Sequence, residues 1–285
     1  RGKVKPDEVF NTHNGQYRLP YGRRTLNDVT KRAEQTWLQV LVNSSNIGMA
    51  QGTARLSFRE MRDAVLRFGF GQKTEIGLPG ESGGIVTSQR NWSNYTQTSV
   101  AMGHEVAVTP VQMVRAFSVF ARNGELAGTL PSLTLRAVDE HTPTLGLRQQ
   151  VVDSWITQLG RETMVEVYKN MLVGMRRNFP DDPRPAYMMF GKSGTAEIPR
   201  PDGRGYFGGQ YNSSFILGAP VDQPRLVVLV VIDDPGPSMR RARRHYGSQC
   251  AGPVAARTAD RVLRYLGVAP APEPSVASAS TMSGQ

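Results

Sequence analysis

Apolar residues recur at helical spacing in the first two-thirds of the chain and at strand spacing after it, and this order predicts the layout. Asn14-Gly15, between Val9-Phe10 and Tyr17-Arg18-Leu19, reads as the turn of a small hairpin. Trp37, Leu38, Leu41 and Val42 fall on one side of a helix predicted over 34–42, which Ser44-Ser45-Asn46 interrupts. A second helix is expected to restart with Ile47, Ala50 and Ala54 turned inward. Ser57 and Glu60 make a Ser-x-x-Glu capping box ahead of Phe58, Met61, Val65 and Phe68, and Gly69 is expected to stop that helix. Residues 71–95, rich in glycine and polar groups, read as a long surface excursion. Thr109-Pro110-x-Gln112 opens another helix, with Val114, Phe117 and Ala121 stacked and Asn123-Gly124 closing it. Met164, Val167, Tyr168, Met171 and Met175 form the buried stripe of a helix predicted over 163–177.

Three strands are then predicted over 188–198, 213–219 and 225–233, joined by links short enough for antiparallel neighbours. The stretch 226–232 is apolar on both faces, as a central strand covered by helices on each side would be. Pro253 is read as the start of a last helix with Ala255, Ala259, Val262 and Leu266 inward. The fold class is therefore α/β (α+β), an antiparallel sheet flanked by helices over 1–268, followed by a disordered Pro/Ala/Ser tail over 269–285. A sheet with its most apolar strand unpaired on one side would invite aggregation. Further strands are therefore expected before Arg1 or from another chain.

Composition narrows the chemistry. The net charge is +10, carried by 28 arginines against six lysines, which favours anionic surfaces without choosing among them. No basic strand interleaved with aromatics or recognition-helix pattern accompanies that charge, so nucleic acid is not expected as a partner. A single cysteine, Cys250, excludes an internal disulfide. The four histidines show no ligand spacing, and no metal or other cofactor is expected. The longest apolar run, 226–232, is too short to span a bilayer.

Lys192-Ser193-Gly194-Thr195 carries the most telling chemistry. On a strand, Ser193 and Thr195 share one face, where both hydroxyls can meet one bound carboxylate. Gly194 lets a substrate backbone or a facing helix come close. Lys192 raises the local potential for an anionic entering or leaving group. Ser44 and Asn46 stand about 150 residues upstream, between two helices, where either capping or chemistry would suit them.

The two motifs, in this order and at this separation, resemble the transpeptidase domain of penicillin-binding proteins, of the monofunctional (class B) type. The likeness extends over 9–28, 43–49, 101–110 and 212–234, and covers 1–268 in all. The resemblance implies a serine β-lactamase/transpeptidase-like fold and a D,D-transpeptidase that cross-links peptidoglycan stem peptides and is acylated by β-lactams. Ser44 would relay a proton, Asn46 would hold the donor amide, and Lys192 would stabilise charge and tune Ser44. Ser193 and Thr195 would bind the terminal carboxylate, and the Thr195 N–H would serve as an oxyanion donor. The chain holds no Ser-x-x-Lys, so the nucleophile is absent from it and the stretch alone is expected to be inert. That motif is expected in a missing N-terminal segment of the same polypeptide or in a companion chain. The resemblance further implies an anchor in the cytoplasmic membrane, this domain on the outer face, and a membrane glycan polymerase as partner. A β-lactam sensor or hydrolase of the same fold, or a catalytically silent scaffold, are the alternatives. Arg240-Arg241-Ala242-Arg243-Arg244 is more basic than the family pattern, either as a solvated loop or as a contact for anionic lipid or wall polymer.

Overall fold

A computed structural model describes residues 2–133 and 149–270. The predicted tail therefore lies outside the described residues from 271 onward. The chain opens with four short strands, β1 (Val9–Asn11), β2 (Gln16–Arg18), β3 (Thr25–Asn27) and β4 (Glu34–Thr36). The Asn14-Gly15 hairpin does not form, because β1 pairs with β4 and β2 with β3. Asn14 and Gly15 adopt positive φ there, at 50° and 81°, and turn the chain out of one strand pair into the other. A left-handed Asn-Gly step suits either geometry, so the local signal could not decide the pairing.

Helix α1 (Trp37–Asn43) starts three residues later than predicted, because Glu34 to Thr36 belong to β4 and Thr36 caps the helix with Gln39 in a reciprocal box. Helix α2 (Asn46–Thr53) follows after Ser44 and Ser45. Ile47 and Ala50 are buried as expected, whereas Ala54 lies just past the helix end and is exposed. Glycines at one-turn spacing set how α2 meets α1: a Cβ on Gly48 would overlap Val40, and one on Gly52 would overlap the Trp37 ring. Helix α3 (Phe58–Arg67) carries the predicted capping box, and Gly69 ends it at φ 84°.

The 71–95 excursion is pinned rather than free. Thr74 and Trp92 are buried, and β5 (Ile85–Val86), before α4 (Asn94–Ala101), pairs with β6 (Val106–Ala107). Helix α5 (Pro110–Phe117) begins at the predicted proline and passes into a 3₁₀ turn over Ser118–Ala121, short of Asn123-Gly124. Strand β7 (Thr129–Leu130) pairs with β8 (Gln149–Gln150). Helix α6 (Ser154–Asn178) starts nine residues before the predicted point, and every residue of its predicted stripe is buried.

Strands β9 (Phe190–Pro199), β10 (Tyr206–Ala219) and β11 (Leu226–Asp233) form one antiparallel sheet in the order β11-β10-β9. Helices lie against both faces of the apolar stretch 226–232, but its residues are only partly buried and Val231 is exposed; β10 is the middle strand and β11 lies at the margin among the described residues. Leu226, Val228, Val230 and Ile232 pack with Phe215 and Leu217 against α6 and α8 (Gly247–Tyr265), which follows the short α7 (Pro237–Arg241). Val227 and Leu229 pack on the other face with Ile216, Phe190 and Phe117 of α5. Helix α8 begins six residues before Pro253, which sits inside it. Its inward stripe is Ala251, Ala255, Ala256, Ala259 and Leu263, while Val262 and Leu266 face outward. These small side chains let α8 lie close on the sheet. Gly252 does the same toward α6, where an added Cβ would stand 2.8 Å from Met171 Cγ.

Candidate active site

Two polar segments far apart in sequence meet at the β9 edge of the sheet. The first is the junction between α1 and α2. Ser44 ends α1 in the left-handed conformation, φ 54° and ψ 47°, which turns the chain sharply and leaves its side chain exposed. That conformation costs a non-glycine residue roughly 1–2 kcal/mol, so the surroundings must hold it.

They do so through Asp28, just after β3. This carboxylate is only 8% exposed; it accepts Ser45 Oγ–H at 2.5 Å and the Ile47 N–H at 3.1 Å. Ser45 Oγ in turn accepts the Gly48 N–H at 3.0 Å. A buried negative charge thus sits on the free amides at the start of α2, where it complements the helix dipole and satisfies their donors. Asn46 Nδ2 donates to the Asn27 carbonyl at 3.1 Å, and Asn43 at the end of α1 donates to Gln35 at 2.8 Å. The junction is held from β3 and β4 on both sides of Ser44.

The second segment is the tetrad on β9. Register with β10 pairs Lys192 with Ile216, Ser193 with Phe215, Gly194 with Ser214 and Thr195 with Ser213. Lys192 therefore lies on the face of Ile216, beside the cluster that includes Phe190 and Phe117. Its Nζ donates to Ser44 Oγ and, at 3.0 Å, to the Ser193 carbonyl. Burial there pushes the Lys192 ammonium down from its ordinary 10.5 to about 8, because desolvation penalises the charged form.

Ser193 and Thr195 share the opposite face, as the strand period requires. Thr195 is exposed, and its Oγ1 accepts the Gly247 N–H at 3.0 Å. A hydroxyl that accepts at one lone pair still has its own proton to give, so this bond aims the Thr195 O–H outward. The donor is the first residue of the 19-residue α8, whose N-terminus therefore points at the same spot and favours an anion there. Gly247 makes that approach possible. A Cβ on it would fall within 3.0 Å of the carbonyl oxygens of Ser214 and Gly194. At Gly194 itself, the missing Cβ clears Ser214 Oγ, 2.7 Å from where it would stand, rather than a helix.

Ser44 and the tetrad are thus brought together through Lys192. Among the described residues, no hydrogen bond joins Asn46 directly to the tetrad. Asp28 and Gly247 escaped the sequence reading. Asp28 has no motif around it, because its partners lie 17 and 19 residues away. The signal for Gly247 was the Tyr246-Gly247 step ahead of an alanine-rich helix, which a reading that began the helix at Pro253 passed over.

The arrangement matches known proteins over nearly its whole length. The family described as "Penicillin binding protein transpeptidase domain" matches residues 1–260. "Probable peptidoglycan D,D-transpeptidase PbpC" of Pseudomonas aeruginosa is 34% identical over 211 residues, 74% of this chain and 35% of that protein. "Peptidoglycan D,D-transpeptidase FtsI" of Escherichia coli K12 is 28% identical over 276 residues, 95% of this chain and 42% of that protein. The chain thus spans less than half the length of these two relatives. Among solved structures, the "Apo structure of TP domain from Burkholderia pseudomallei penicillin-binding protein 3" has a TM-score of 0.75 at 29% identity, and covers 94% of this chain and 75% of that one.

Proposed function

This chain belongs to the penicillin-binding protein transpeptidase family, and from that premise we propose that it supplies most of the active site of a serine D,D-transpeptidase that cross-links peptidoglycan stem peptides. The observation that carries the reading is the bond from Lys192 Nζ to Ser44 Oγ, across 148 residues of sequence. It puts a cation of lowered pKa on a hydroxyl held in a strained turn, beside a strand whose far face offers an anion-binding hydroxyl.

Each group then has a task. Thr195 O–H, with Ser193 beside it and the N-terminus of α8 behind it, grips the C-terminal carboxylate of the donor peptide or of a β-lactam. Asn46, whose Nδ2 is anchored to Asn27, keeps its carbonyl oxygen free to accept the donor's amide N–H. Lys192, protonated, holds Ser44 Oγ as acceptor, which leaves the Ser44 proton available to the departing D-alanine amine. The backbone N–H of Thr195 stabilises the oxyanion.

The attacking serine is not among these 285 residues, which contain no Ser-x-x-Lys. We infer that this stretch alone forms no acyl-enzyme and that it acts together with a Ser-x-x-Lys segment. The resemblance supports a parent protein held in the cytoplasmic membrane with this domain on the outer face, working beside a glycan polymerase. Among the described residues, no helix is long and apolar enough to cross a membrane. Fluorescent penicillin tests the reading. The full-length protein should label covalently and this stretch alone should not; a full-length protein that never labels removes the assignment.

A further inference from the structure

Helix α8 starts without a cap of its own. Its N-cap residue, Tyr246, makes no side-chain capping bond, so the start of this 19-residue helix must be held by other elements. Two hydroxyls of the sheet do this. Thr195 Oγ1 accepts the Gly247 N–H at 3.0 Å, and Ser213 Oγ–H donates to the His245 carbonyl. Tyr246, between those two backbone groups, is extended at φ −68° and ψ 142°, which turns the His245 carbonyl and the Gly247 N–H to the same side.

Ser213 and Thr195 are register partners across β10 and β9 and project on one face. The contacts therefore close a ring: Thr195, its partner Ser213, the His245 carbonyl, and the Gly247 amide, which returns to Thr195. Ser213 is the fixed member. It is wholly buried, and its strand is paired on both sides, with Ile232 of β11 opposite it as well as Thr195. Among the described residues, the one other donor to the His245 carbonyl is the Cys250 thiol, at 3.5 Å. A thiol is a weak donor, and this one also lies 3.3 Å from the Tyr246 carbonyl, so the hydroxyl of Ser213 carries the anchor. Without it, the start of α8 can shift, and the Gly247 amide shifts with it. The Thr195 proton points away from the lone pair that this amide occupies, so its aim changes too.

We propose that Ser213 is a positioning residue of the transpeptidase: its hydroxyl fixes the start of α8 and, through the Gly247 amide, the direction in which Thr195 offers its proton to the donor's carboxylate. The inference rests on reading Thr195 as part of the clamp for that carboxylate. The test uses the full-length protein and two forms of one fluorescent penicillin, with its carboxylate free or as the methyl ester. The readout is the ratio of their second-order acylation rates, which a general loss of structure would leave unmoved. Wild type should favour the free carboxylate by about tenfold or more. Ser213→Ala should lower that ratio by about fivefold or more, and should lower it no further in a Thr195→Val background, where the hydroxyl it aims is gone. Equal slowing of both compounds in Ser213→Ala, with the ratio unchanged, overturns this inference alone. So does a fall in the ratio that repeats in full on top of Thr195→Val, since Ser213 would then act by another route. A wild type acylated equally by both compounds overturns the clamp reading and this inference with it. Should Ser213→Ala give no cooperative thermal melt, Ser213→Cys, close in size and a weak donor, takes its place with the same outcomes.

Discussion

Gly247→Ala isolates the contact that joins α8 to the tetrad. The new Cβ would lie within 3.0 Å of two carbonyl oxygens, those of Ser214 and Gly194, and both belong to the paired strands β9 and β10. Strand backbone cannot rotate aside as a side chain can, so the start of α8 must lift. Overpacking of this kind costs about 1–3 kcal/mol. Lifting also breaks the 3.0 Å bond from the Gly247 amide to Thr195 Oγ1, worth roughly 0.5–1.5 kcal/mol. Alanine recovers little helix propensity in return, because Gly247 is the first residue of α8. The net loss should be about 2–4 kcal/mol, a fall in Tm of roughly 5–10 °C for a domain this size. Differential scanning calorimetry reads the fall, and β-lactam acylation of the full-length protein reads the site, where loss of the aimed hydroxyl should slow acylation about tenfold or more. A variant with unchanged Tm and unchanged acylation would refute the argument that Gly247 is required by the approach of α8 to the strand.

Three further outcomes follow from the same geometry. Asp28→Ala strands the Ser45 hydroxyl and the Ile47 amide in a buried setting, so unfolding in urea should show a loss of about 2–4 kcal/mol together with slower acylation. Lys192 is a base whose folded pKa, about 8, lies below its ordinary 10.5, so the unfolded chain holds more protons between those values and wild-type stability rises with pH across them. The cost of its buried charge is fully present below pH 8; Lys192→Met should therefore be at least as stable as wild type at pH 7, an advantage that shrinks from pH 8 and is gone above 10.5. Gly48→Ala drives a methyl into Val40 where α2 meets α1, and thermal melts should show a loss of about 1–3 kcal/mol.

Where one element's own period decides its burial, the sequence was legible. The methionine stripe of α6 and the Ser57/Glu60 box are local, and both stand as read. Elements decided by partners were not. Asn14-Gly15 supports a turn in either topology, and only the distant β3 and β4 determine which forms. Pro253 reads as a helix start because proline suits a first turn, yet the six residues before it continue α8, whose alanines carry too weak an apolar signal to show its true inner face. Among the described residues β11 has a partner on one side alone, although its composition reads as central: α8 and α5 pack on its two faces and partly bury them whatever its place in the strand order. In the site, the tetrad and Ser44 could be paired from motif order. The buried carboxylate of Asp28 and the approach of Gly247 are tertiary facts with no local trace.

A double-mutant cycle on β-lactam acylation of the full-length protein asks directly whether Ser44 and Lys192 work as one unit. Ser44→Ala and Lys192→Ala should each slow acylation by orders of magnitude, and the double variant should be little slower than the worse single one. Losses that simply multiply would show two independent residues and contradict a shared site.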